Sequence, residues 1–434
     1  MKDAGPQTRH VSVLVTGHET GHLVAMAPRL IAQWTRDEKW PDAIALSTGD
    51  IFAGSSISSH FFGLSTAEVT KALQYRASAL GNHDLDLGIK TLQAFRAASG
   101  ITFLAANLKD KPNAEEPLKL EPFTIIEREG VKVGVVGLTS EKTIGTTVAG
   151  RASGLELVPT ESVLPGALEG VKKAGADVVV VIVDDCFNGL AKLFESHPDW
   201  KADLVVGSRC DGPNEAKVNG ASFYSVGDDV SYYVSASVEL APTGEKIVKV
   251  ARTALDPKIA EDADLVALRE RWQKKLDEEL GTVIGFTKTG VKEADPRLRT
   301  WVATALKEQT KSDAALINKK GIRAELPKGK ITKASIYSMI PFENAVLTVM
   351  VKGEVLEKLK ANKEAVLVLP PKIDKAKDYQ LATTEYLYFG GDALGLEDVA
   401  PNPELTGQVW QTPVIEWLEK VGSKEKKPLE TLVK

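Results

Sequence analysis

Short apolar runs recur through the first half of the chain, at 11–15, 43–47, 78–80, 102–105, 131–137, 178–183 and 204–206, and most give way to glycine or a polar residue. Between them lie segments of helical periodicity, among them 25–34 and 160–174. Buried strands alternating with amphipathic helices predict an α/β domain. The segment 223–240 alternates apolar and polar positions and predicts antiparallel strands closing a sheet. Residues 260–280 are charged, free of glycine and helix-periodic, and stop at Gly281, which predicts a connecting helix. The chain therefore divides into a first domain over 1–257, a connecting helix over 258–282 and a second domain over 283–434.

Composition narrows this picture. A length of 434 residues exceeds one ordinary domain, and 43% hydrophobic with 26% charged residues suits a globular protein. A formal charge of −5 gives no basic footprint for a nucleic-acid polymer, and no apolar run approaches the length of a transmembrane segment. Residues 1–9 are polar, lack the apolar core of a signal peptide, and read like the tether of a mature exported protein with an added start methionine.

Two strand-end segments carry candidate chemistry: Leu46-Ser47-Thr48-Gly49-Asp50, and Leu80-Gly81-Asn82-His83-Asp84-Leu85-Asp86-Leu87-Gly88. Asp50 and Asn82 are expected at neighbouring strand ends, where carboxylate and amide oxygens suit a hard divalent cation. His83 beside Asp86 can stabilise charge or move a proton once the acid orients its ring, although a histidine held by a carboxylate also makes a structural clasp. The order and spacing of these motifs resemble the calcineurin-like metallophosphoesterase domain of the 5′-nucleotidase family. The segments Lys132-Val133-Gly134-Val135-Val136-Gly137-Leu138-Thr139 and Asp203-Leu204-Val205-Val206-Gly207 extend the resemblance. It implies a four-layer αββα metallophosphoesterase sandwich followed by a smaller α/β substrate-binding domain. It also implies an exported, periplasmic or surface-anchored protein, for instance a lipoprotein whose signal has been removed.

The second domain contains an ordered trio that resembles the nucleotide-binding half of the same family: residues 315–327 around Asn318 and Arg323, then Ile340-Pro341-Phe342-Glu343-Asn344, then Tyr386-Leu387-Tyr388-Phe389-Gly390-Gly391-Asp392. Carried over, Asn318 and Arg323 grip the nucleotide, Phe342 and Tyr386 stack on its base, and Asp392 holds the polar side of the base. Guanidinium is suited to phosphate or carboxylate, and aromatic rings suit any base. Where the family has glycines, this chain has Lys319 and Lys320, which either narrow the pocket or add anion affinity.

The metal half departs further from the family pattern. His18 stands where the family has an aspartate, Thr20 where it has a histidine, and Asp184 where it has another histidine. In place of Gly-His-x-His the chain has Gly207-Ser208-Arg209-Cys210-Asp211. Arginine cannot ligate a cation, so the resemblance leads us to expect no dinuclear centre. His18, Asp50 and Asp211, with Asn82 or Asp184, could hold one divalent ion such as Mn or Zn; the other reading is a hydrogen-bonded network that includes Arg209. Cys186 and Cys210 follow two strands facing this region and admit a disulfide, soft-metal ligation with His18, or two independent thiols. Three functional classes follow: a single-metal phosphohydrolase, a nucleotide-binding pseudoenzyme, and a module whose cleft serves a protein or cell-envelope partner.

Overall fold

The computed structural model describes residues 7–433 except 149, 209, 213, 392, 393 and 395. Packing separates two units whose main boundary falls inside the helix Ala263–Leu280, between Trp272 and Gln273; residues 54–60 and 148–150 group with the second unit.

The first unit contains strands β1 (Arg9–Thr16), β2 (Ile44–Ser47), β3 (Tyr75–Ala79), β4 (Thr102–Leu104), β5 (Leu108–Asp110), β6 (Phe123–Arg128) and β7 (Val131–Thr139). It continues with β8 (Leu155–Leu157), β9 (Val178–Asp184), β10 (Leu204–Gly207), β11 (Glu215–Val218), β12 (Ala221–Ser225), β13 (Tyr232–Leu240) and β14 (Lys246–Ala254). Two six-stranded sheets run in the orders β14-β13-β1-β2-β3-β4 and β11-β12-β10-β9-β7-β6, and β5 pairs with β8 apart from them. Within the sheets β1 through β4 are parallel to one another, as are β7, β9, β10 and β12, while β13, β14, β11 and β6 pair antiparallel.

The two-residue period of a strand sorts the side chains into layers. Val11, Val13 and Val15 of β1 meet Val131, Val133 and Val135 of β7 and Val178, Val180 and Ile182 of β9 in one core between the sheets. On the other face of the second sheet, Val136, Leu138, Val181 and Val205 pack with Leu164, Leu168 and Val171 of the helix Thr160–Lys173. On the outer face of the first sheet, fully buried Trp34 of the helix Leu23–Asp37 lies 6.0 Å from the ring of Tyr75 and 6.2 Å from that of Tyr233. Helix, sheet, sheet and helix are the four expected layers. The segment 223–240 supplies two strands to different sheets: its first part belongs to β12, antiparallel to β11 and parallel to β10, and the rest forms β13, antiparallel to β1 and β14, because the turn at Gly227 to Ser231 redirects the chain.

The second unit holds β15 (Val283–Thr287), β16 (Ala314–Asn318), β17 (Gly329–Thr332), β18 (Ala345–Lys352), β19 (Ala365–Val368), β20 (Asp378–Thr384) and β21 (Glu404–Val409). A five-stranded sheet runs β19-β16-β20-β18-β21, and β15 pairs with β17. Both faces of β16 are buried, which explains its unbroken apolar sequence. Ala315 and Ile317 join a core with Trp301 and Leu306 of the helix Pro296–Gln309 and Trp417 of the helix Gln411–Val421. Ala314 and Leu316 join another with Leu347, Val349 and Val351 of β18. Asp295 caps the helix Pro296–Gln309 by accepting the Arg297 N–H at 2.9 Å, with proline at the first turn. Among the described residues no helix is long and apolar enough to cross a membrane.

Candidate functional site

Strands β1, β2 and β3 end side by side, with Thr16 opposite Ser47 and Ser47 opposite Ser78, so the loops they feed share one sheet edge. The loops meet closely. A Cβ on Gly81 would lie 2.0 Å from Asp50 Oδ1, and Gly49, at φ 116°, would bring one within 2.9 Å of the Asp184 Cβ. His18, Thr20 and Asp50 themselves adopt φ of 49°, 44° and 57°. Left-handed backbone at non-glycine residues costs about 1–3 kcal/mol each and persists only where surrounding bonds hold it.

The carboxyl cluster explains how these conformations are held. Asp50 Oδ1 accepts the His83 N–H at 2.8 Å, and Asp50 Oδ2 lies 3.1 Å from His18 Nδ1. Asp84 accepts the backbone N–H groups of Asp50, Ile51 and Gly81 at 2.9, 2.8 and 2.9 Å, joining two strand ends through one carboxyl. Asp184 accepts from Ser208 Oγ at 3.2 Å. Ligand atoms of His18, Asp50 and Asp184 all lie within 4.8 Å of one another.

Burial drives the electrostatics here. Burial would raise Asp50, but the His83 and His18 imidazoles hold it down to about 2. Burial and then the Asp50 charge push Asp84 up to about 7, and burial with the Asp50 and Asp84 charges pushes Asp184 well above the usual carboxylate range. Buried carboxyls at this spacing cannot all ionise without added positive charge. One imidazole with two carboxylates also suits a single Mn or Zn ion, so the residues present fit one divalent cation.

Other residues read as functional in the sequence divide into several groups. His83 Nδ1 meets Asp86 Oδ2 at 2.7 Å. Asn82 turns its amide to the Thr146 carbonyl at 3.2 Å. Thr20 Oγ1 donates to Asp229 Oδ1 at 2.7 Å. Asp211 is exposed and does not join His18, Asp50 and Asp184 among the described residues. Arg209 lies outside the described residues. Cys186 and Cys210 form a disulfide with a Cα separation of 4.8 Å, which excludes the free-thiol and soft-ligand alternatives for this state. Sequence reasoning missed Glu19, fully buried and bonded to Thr16 Oγ1 at 2.6 Å and Ser47 Oγ at 2.9 Å, and missed Asp84 inside a motif it had singled out.

In the second unit, Asn318 ends β16 and is buried. The Arg323 guanidinium carbon lies 5.8 Å from the centre of the Phe342 ring, and the Arg323 N–H donates to the Met339 carbonyl at 2.7 Å. The Phe342 carbonyl accepts Trp410 Nε1 at 2.5 Å and Gln411 Nε2 at 3.0 Å, fixing the backbone beneath the ring. Tyr386 packs against the core on the other face of the sheet from the one Phe342 touches, and Asp392 lies outside the described residues. The Lys319 ammonium is tied to the Lys363 carbonyl, leaving Lys320 exposed on the same turn.

Residues 278–365 match the family profile described as 5′-nucleotidase, C-terminal domain. The chain is 26% identical to the 5′-nucleotidase of Vibrio cholerae over 73% of its own length and 67% of that protein. These matches make the chain similar to 5′-nucleotidases over most of its length, with the family profile confined to residues 278–365. A 5′-nucleotidase precursor from Thermus thermophilus shares the fold, with a TM-score of 0.79 at 19% identity, covering 96% of this chain and 97% of that one. The endonuclease YhcR of Bacillus subtilis is 23% identical over 73% of this chain, and the match spans only 28% of YhcR. The 5′-nucleotidase profile takes in Asn318, Arg323 and Phe342 and stops before Tyr386 and Asp392.

Proposed function

We propose that this chain belongs to the 5′-nucleotidase family, recognises a nucleotide-like phosphoester through Asn318, Arg323, Phe342, Tyr386 and Asp392, and hydrolyses it weakly with one divalent cation. The observation that carries this reading is the meeting of His18, Asp50 and Asp184 within 4.8 Å, a donor set sized for one ion. When bound, such an ion supplies Lewis-acid polarisation of a phosphoryl oxygen and a more acidic water. His83, oriented by Asp86, serves to place a proton or stabilise charge on the ester. With Thr20 engaged by Asp229, the second cation of the family pattern loses that ligand position. The domains run 1–257 and 283–434, with 258–282 as the connecting helix. The Cys186–Cys210 disulfide favours an exported protein in an oxidising compartment.

The 3.1 Å approach of His18 to Asp50 favours a second reading, an inert module in which the imidazole neutralises the carboxylate and the nucleotide pocket or a protein partner gives the function. Phosphate release from a panel of nucleotides and sugar-nucleotides, with added manganese, zinc or cobalt, separates the two. Activity that disappears in Asp50→Ala supports the single-cation enzyme. Release no greater than the Asp50→Ala background with every metal leaves the inert module.

A further inference from the structure

We propose that Ser208 is a positioning residue for the candidate cation set: its hydroxyl joins Asp184 to Thr48 and so fixes the separation between the two carboxylate donors. This inference rests on the single-cation reading above.

A cation binds tightly only where its donors already stand at the right spacing, and the groups that hold those donors set that spacing. His18 and Asp50 follow neighbouring strands of the first sheet, whereas Asp184 ends β9 of the second. A side chain joins the two. Ser208 Oγ lies 3.2 Å from Asp184 Oδ1 and 3.1 Å from Thr48 Oγ1. Thr48 stands two residues before Asp50, and Ser208 follows β10. One hydroxyl therefore links the carboxylate of the second sheet to the loop that delivers that of the first. A hydroxyl donates one hydrogen bond and accepts others, so the link stands whichever oxygen carries the proton.

Both ends of this link are fixed. The Ser208 N–H donates to the Asp185 carbonyl at 2.9 Å, and the Val226 N–H donates to the Gly207 carbonyl at 3.1 Å. The Ser208 carbonyl accepts from the Ser225 hydroxyl. On the other side the Thr48 N–H donates to the Thr16 carbonyl at 2.9 Å. A Cβ on Gly17 would collide with the Thr48 hydroxyl, so the glycine beside His18 leaves the space in which that hydroxyl sits. The His18 N–H in turn donates to the Gly49 carbonyl at 2.9 Å. Thr48 is fully buried and Ser208 is 5% exposed, so water has little access to replace either bond. Segments carrying all three candidate donors thus meet at one pair of hydroxyls.

The test is cobalt(II) binding to the full chain, by calorimetry and by the visible absorption of the bound ion, in wild type, Ser208→Ala, Thr48→Val, the double variant and Asp184→Asn. We expect Ser208→Ala to weaken cobalt affinity about 10–100-fold and to shift the cobalt bands, because Asp184 then meets the ion at a different angle. Thr48→Val keeps the shape of the side chain and should weaken affinity in the same direction. In the double variant it should add less than its own effect, because both substitutions break one link. Cobalt bands identical to those of the wild type in a saturated Ser208→Ala overturn the proposal, as do losses that simply multiply in the double variant. Cobalt affinity unchanged in a folded Ser208→Ala, while Asp184→Asn loses it, overturns the proposal and leaves the single-cation reading standing. Should Ser208→Ala not fold, wild-type affinity in Thr48→Val overturns the proposal by itself. A folded wild type that binds no cobalt overturns both.

Discussion

Glu19 is fully buried between Thr16 and Ser47, and burial pushes its carboxyl from the usual 4.5 up to about 8 despite the hydrogen bonds from both hydroxyls. The folded state therefore holds this proton more tightly than the unfolded state. Below 4.5 both states are protonated and stability is full; as pH rises from 4.5 through about 8 the unfolded chain releases the proton first, and stability is lost. Glu19→Gln removes that linkage while keeping a neutral acceptor in place. It is expected to be more stable than the wild type at pH 7 by up to about 3 kcal/mol, with the gap closing towards pH 4.5. Urea unfolding at the two pH values checks this, and an equal gap at both would show that Glu19 is not a buried neutral acid.

The ends of β9 and β10 are joined by the Cys186–Cys210 disulfide across a sequence separation of 24. Closing a loop of that length restricts the unfolded chain by about 3 kcal/mol. Replacing both cysteines by serine should lower unfolding stability by about that amount, and reductant should lower the wild type equally while leaving the double mutant unchanged. These strands were readable in the sequence because β9 and β10 are buried on both faces and spell continuous apolar runs. Strand β14 was not, because its side chains are half-exposed or exposed and lysine and arginine interrupt the alternation. The site divides in the same way. Asp50 and the His83–Asp86 pair were readable because short motifs carry them. The role of Asp84 rests on three backbone N–H groups from two strand ends, which no local pattern encodes. The cysteine alternatives likewise needed the strand order that brings β9 beside β10.

At the scale of the molecule, the candidate cation donors His18, Asp50 and Asp184 belong to the first packing unit, and Asn318, Arg323 and Phe342 belong to the second. Each unit has its own buried cores, and the two residue sets belong to different units. Nucleotide recognition and cation binding should therefore separate by mutation. Phe342→Ala removes a ring that would stack on a base, worth about 1–3 kcal/mol, and should weaken the affinity for a nucleoside monophosphate by about 5–150-fold while leaving zinc affinity unchanged. Asp50→Ala should abolish zinc binding and any metal-dependent phosphate release while leaving nucleotide affinity within about twofold, the scatter expected of independent sites. Calorimetric titration of both variants with both ligands makes the comparison. Loss of nucleotide binding in Asp50→Ala would mean that the cation itself contacts the phosphate in the resting complex, and would move phosphate recognition from Arg323 to the metal.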